Sequence, residues 1–118
     1  MDLSFAPAIR VFGAAGGTHK YILIKITLGD GTHHFCIRSG NGYAYDHAAV
    51  LCETRTEFHP LTSIEVLGGG FITMRKDLVM VTGKSQTYGP APRDVVAEIL
   101  RRTYPTHEIN IENAPTQP

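Results

Sequence analysis

Lys20-Tyr21-Ile22-Leu23-Ile24-Lys25-Ile26-Thr27-Leu28 is the stretch on which the fold turns. Successive side chains of a strand point to opposite faces, so Tyr21, Leu23, Lys25 and Thr27 share one face and Ile22, Ile24, Ile26 and Leu28 the other. The run is β-branched and aromatic and carries apolar residues on both faces, which fits a central strand of a sheet covered on each side. Gly29-Asp30-Gly31 then tolerates the backbone angles of a tight turn, and residues 33–38 return as the second arm of a hairpin. The turn-rich Ser39-Gly40-Asn41-Gly42 is expected to end that arm.

Outward from this hairpin, Ile9-Arg10-Val11-Phe12 reads as a short strand, and Gly13 to Gly17 as a connection. Asp46 is a good N-cap for a helix running to about Phe58, before Pro60, with His47 in its first turn. Residues 63–67, 71–75 and 78–84 read as strands, with Lys76-Asp77 as a tight turn. Pro92 suits the first position of a second helix, whose dipole matches Asp94 near its start and Arg101 and Arg102 near its end. Val95, Val96, Ile99 and Leu100 form its apolar stripe. Pro105 stops it, residues 107–111 alternate as a last strand, and residues 1–8 and 113–118 are expected to be flexible. Strands and helices in this mixed order imply an α/β domain, one sheet with a helix on each face.

The 118 residues, 42% of them hydrophobic, match one small domain with one modest core. Eleven basic residues balance eleven acidic ones, which disfavours nucleic-acid or membrane binding through bulk charge, so any anion site must be local. No apolar run approaches the roughly 20 residues that cross a bilayer, and Met1-Asp2-Leu3-Ser4 lacks the marks of a secretion signal; a cytoplasmic monomer is expected. Cys36 and Cys52 have no C-x-x-C spacing and are expected to be reduced, buried packing residues. His33 and His34 point to opposite faces of a strand and His34 with Cys36 lacks further ligands, so a metal site is not expected.

A second stretch carries the chemistry. Leu67-Gly68-Gly69-Gly70 is followed by Ser85-Gln86-Thr87-Tyr88-Gly89-Pro90-Ala91 at the foot of the second helix, where free backbone N–H groups and a helix dipole favour an anion. The triple glycine lacks the Gly-Lys-Ser/Thr ending of a nucleotide-binding loop and is expected to be a strand bulge or a point of close backbone packing. With Lys20-Tyr21-Ile22-Leu23-Ile24 upstream and His47-Ala48 between, the pattern resembles the Janus/Ocnus family, which includes phosphohistidine phosphatase activity. The resemblance implies a mixed six-stranded sheet with two helices, and cofactor-independent hydrolysis of the N–P bond of phosphohistidine, in a protein or a small phosphoramidate.

By that resemblance His47 is the catalytic histidine. Imidazole can serve as nucleophile or as proton carrier near neutral pH, and N–P hydrolysis needs one or both. Lys20, Ser85, Gln86 and Thr87 fall where the family holds phosphoryl oxygens, Thr87 being bulkier than the family's alanine there. The family places an arginine directly after the triple glycine, whereas this chain has Phe71. Arg38, Arg75 or Lys84 could restore that charge, and Arg38 is favoured because the family has an arginine shortly before its histidine. Two other functions are compatible with the same residues. One is a non-catalytic protein that binds a phosphorylated partner, suggested by Phe71; the other is a phosphatase for another phosphoramidate, such as phospholysine.

Overall fold

The computed structural model describes residues 8–12, 17–40, 46–58 and 62–112. It forms a six-stranded mixed sheet, β1 (Ile9–Phe12), β2 (Gly17–Leu28), β3 (His33–Gly40), β4 (Thr62–Met74), β5 (Leu78–Thr82) and β6 (Glu108–Ile111), with helices α1 (His47–Phe58) and α2 (Arg93–Thr103). Across the sheet the order is β1-β3-β2-β4-β5-β6, with β1–β3 and β5–β6 parallel and the other pairs antiparallel.

The two faces of β2 each seed a core. Ile22, Ile24, Ile26 and Leu28 pack with Cys36 and with Val50 and Phe58 of α1. Tyr21 and Leu23 pack with Ile37, Ile72, Val79 and Val81 and with Val96, Ile99 and Leu100 of α2. The alternation of one strand therefore places the helices on opposite faces. In α2, Ala97 is buried and Val95 only partly so, which shifts the expected stripe by a fraction of a turn. Pro92 sits at the N-cap rather than within the first turn.

Three expectations change, and others fall outside the described residues. Ser39 and Gly40 belong to β3, because Gly40 pairs with Phe12 on one side and Lys20 on the other. Gly13 to Gly16 and the tail beyond Glu112 lie outside the described residues. The segments 63–67 and 71–75 are one strand, since β2 supplies continuous partners for the glycines between them. Cys36 is buried, but Cys52 is exposed, because its position on α1 lies off the buried series Val50, Thr54 and Phe58.

The triple glycine is both a bulge and a packing point. Leu23 pairs with Gly68 and Ile24 with Val66, leaving Leu67 as the extra residue. A Cβ on Gly68 would lie 2.3 Å from the Pro90 carbonyl oxygen, and one on Gly69 would lie 2.3 Å from that of Tyr21. The absence of side chains lets the segment after β5 dock on β4: Gly69 N–H donates to the Gly89 carbonyl (2.9 Å), and Ser85 N–H to that of Gly69 (3.0 Å).

Candidate functional site

α1 begins beside this junction. Asp46 accepts the Ala49 N–H on Oδ1 at 2.8 Å, an N-cap that fixes where the helix starts and so where His47 points. The imidazole lies over Gly69, where a Cβ would be 3.3 Å from its Cδ2, and meets the Phe71 ring edge to face, with centroids 6.1 Å apart at 76°. His47 Nε2 lies 3.0 Å from the Gly70 carbonyl oxygen. A carbonyl only accepts, so Nε2 carries the hydrogen, and in the neutral ring Nδ1 keeps its lone pair.

The imidazole borders a cleft of about 450 Å³ lined by Lys20, Asp46, His47, Ala48, Phe71, Lys84, Gln86 and Thr87. Lys20 and Phe71 are cross-strand partners on the α1 face of the sheet. Lys84 enters from the end of β5, and Gln86 and Thr87 from the turn that follows. Two lysines thus line the cleft with one carboxylate, itself bonded to the helix N-terminus, which gives a locally cationic cleft on a chain of zero net charge. Anions are favoured there through local placement rather than bulk charge.

Of the residues singled out from sequence, Lys20, His47, Gln86 and Thr87 come together at this cleft. Ser85 does not reach its wall. It is 1% exposed, and its Oγ accepts the N–H groups of Thr87 (3.2 Å) and Tyr88 (3.1 Å), so its hydroxyl pins the turn from behind.

Arg38 is the larger correction. It is fully buried on β3, donating through Nε and Nη2 to Glu57 Oε1 and Oε2 at 2.8 and 3.0 Å and through Nη1 to the Ile37 carbonyl at 3.0 Å. Its guanidinium lies 5.2 Å from the centre of the Phe58 ring, and Arg10 approaches the same Glu57 at 3.4 Å. This network ties the last turn of α1 to the sheet, and Arg38 is not among the residues lining the cleft. Arg75 is exposed at the β4–β5 turn and is not among them either. The second cation in the cleft is Lys84.

A model of the Janus/Ocnus family (Ocnus) matches residues 7–108. The chain belongs to the Janus/Ocnus family. No curated protein matches it.

Asp46 and Ala48 are the lining residues of this Janus/Ocnus chain that sequence reasoning did not place at the cleft, whereas Phe71 lines it at the position where the resemblance put the family's arginine. Phe71 shares a strand face with Gly69, two residues away. Tyr88 packs partly buried against the core shared with α1. Among the described residues, no group of three or more His, Cys, Asp or Glu side chains is placed to hold a metal ion, and no helix is long and apolar enough to cross a membrane.

Proposed function

We propose that this Janus/Ocnus protein hydrolyses the N–P bond of phosphohistidine or a related phosphoramidate. The observation that carries the reading is the His47 Nε2 bond to the Gly70 carbonyl, which leaves Nδ1 with its lone pair on a ring that lines the same cleft as two lysines. Lys20 and Lys84 hold the phosphoryl oxygens and offset their charge, while the Ser85-pinned turn presents Gln86 and Thr87.

In the covalent route the Nδ1 lone pair attacks phosphorus and forms a new N–P bond. The N–P bond of the substrate breaks, and its electron pair returns to the leaving nitrogen, which takes a proton from solvent. Water then attacks the phosphoimidazole, its oxygen bonding to phosphorus as the His47 N–P bond breaks, releasing inorganic phosphate and restoring Nδ1. In the general-base route Nδ1 instead takes a proton from the water that attacks the substrate directly. Rapid quenching into alkali, where phosphohistidine survives, separates the two: a labelled phosphoenzyme forms only in the first.

The test of the activity is phosphate release from a phosphohistidine peptide and from phosphoramidate, with chelator present, for wild type and His47→Ala. Turnover abolished by the substitution is expected. Phe71 favours a second reading, a protein that binds phosphorylated partners without turnover, because a ring stands where the family has a cation. That reading predicts peptide affinity with no phosphate release. The proposal takes the protein to act as a cytoplasmic monomer, a reducing setting in which its free Cys36 and Cys52 remain thiols.

A further inference from the structure

Among the described residues lining the cleft, Phe71 is the one carbon-only ring, beside the imidazole of His47, two lysines, a carboxylate, an amide, a hydroxyl and a methyl group. Its ring is held from several sides. The backbone pairs with Lys20 on β2 and Thr82 on β5. The imidazole of His47 meets the ring at 76°. Gly83 takes a positive φ of 70° and leaves space beside the ring that a Cβ would close, since that atom would lie 3.1 Å from Phe71 Cδ2. The ring is therefore a fixed wall of the cleft, adjoining the nitrogen-bearing ring of His47 and standing next to Lys20 in the sheet.

Such a wall contributes little to holding a phosphoryl group, whose oxygens seek N–H and ammonium donors. It contributes to whatever is attached to the phosphorus. An aliphatic amine or ammonia offers no π face, whereas an imidazole offers a flat ring that can stack on Phe71 or meet it edge to face, as His47 already does. We infer that Phe71 is a specificity-determining residue that selects phosphoramidates with an aromatic leaving group, phosphohistidine above phospholysine or free phosphoramidate. This rests on the activity proposed above and names the substrate class within it. Phe71 takes no part in bond making or breaking, so its removal changes preference more than the chemical step on a substrate without a ring.

The experiment compares kcat/KM for three substrates, a phosphohistidine peptide, a phospholysine peptide of the same flanking sequence and phosphoramidate, in wild type, Phe71→Leu and Phe71→Tyr. The intrinsic reactivity of each N–P bond cancels when the phosphohistidine-to-phospholysine ratio of a variant is divided by that of wild type. An aromatic pair predicts that this ratio falls roughly three- to tenfold in Phe71→Leu. It stays within about twofold of wild type in Phe71→Tyr, which keeps the ring. Any loss that arises through the contact of Phe71 with His47 falls on all three substrates alike and cancels in the ratio, and circular dichroism reports that both variants are folded. A ratio unchanged in Phe71→Leu, with all three substrates turned over, overturns the inference and leaves the phosphatase reading intact. Absence of turnover of any substrate by wild type overturns that reading and the inference with it.

Discussion

Removing Glu57, which does not line the cleft, should strongly destabilise the fold. Arg38 is fully buried and directs two of its N–H groups to the Glu57 carboxylate, at 2.8 and 3.0 Å. Glu57→Ala takes away both acceptors and leaves the guanidinium with the Ile37 carbonyl and the Phe58 ring. Charge-assisted hydrogen bonds contribute about 1.5–3 kcal/mol each, and stranding one partner of a buried pair costs about 3–5 kcal/mol. A small domain has about 5–15 kcal/mol of stability in total, so the loss is a large fraction. At this chain length it corresponds to a fall in Tm of about 10–25 °C. Urea denaturation followed by circular dichroism measures it directly. The double variant Arg38→Met/Glu57→Leu removes both charges and keeps apolar volume, and should recover to within about 2 kcal/mol of wild type. If Arg38 instead served the substrate, Arg38→Met would weaken phosphate-analogue binding, and Glu57→Ala would lower stability by less than about 1 kcal/mol, the value of an exposed pair. That pair of results would refute the placement of Arg38 in the core.

Three further outcomes are expected. Gly69→Ala puts a Cβ 2.3 Å from the Tyr21 carbonyl oxygen and should cost at least about 2–3 kcal/mol, whereas Gly29→Ala, with nothing within 4 Å and no positive φ, should change stability by less than about 1 kcal/mol in the same denaturation assay. Burial pushes the Tyr21 phenol from 10.0 up to about 12, so its neutral form stabilises the fold fully below pH 10 and that contribution is lost as pH rises towards 12. Urea midpoints between pH 10 and 12 should show a loss of about 2–3 kcal/mol that Tyr21→Phe diminishes. A thiol reagent added to the folded protein should modify Cys52 rapidly and Cys36 only on unfolding, since Cys36 is buried and its thiol pKa is raised by that burial; mass spectrometry of labelled peptides reads the order.

The periodicity of residues 20–28 sufficed to place β2 at the centre and a helix on each side, because a strand apolar on both faces has to be covered on both. The triple glycine misled at the level of strand boundaries. Gly68-Gly69-Gly70 has the local propensity of a break, yet it lies inside β4 because β2 and the segment after β5 bond to it from either side. Pairing of that kind depends on residues far along the chain. Arg38 shows the same limit in a side chain. Strand alternation puts it on the face of Ile22, but what fills the space above it is Glu57 of α1, and no local pattern connects the two. Ser85 was found by its motif and misread in orientation, since a serine that starts a tight turn can face its own backbone as readily as a ligand. Lys84, beside it in sequence, projects where Ser85 does not.

The site depends on a division of labour between the ends of α1. At its C-terminal turn, Glu57 and Phe58 clamp the buried Arg38, and at its start Asp46 caps the helix and His47 bonds to Gly70. Held at both ends, the helix has little freedom to slide along the sheet, and the direction of His47 Nδ1 is set by a carbonyl of β4 rather than by the ligand. The carbonyl is reachable because Gly69 leaves room for the imidazole. Glycines that read as a bulge or a packing point therefore also admit and orient the histidine, while the positive charge of the cleft comes from Lys20 and Lys84. Orientation and attraction are supplied by separate elements, so a substitution at either lysine should weaken binding without disturbing the His47–Gly70 bond. The ring signals of His47 in nuclear magnetic resonance spectra should accordingly stay in place in Lys84→Met while phosphate-analogue affinity falls. Movement of those signals would show instead that the two functions are coupled.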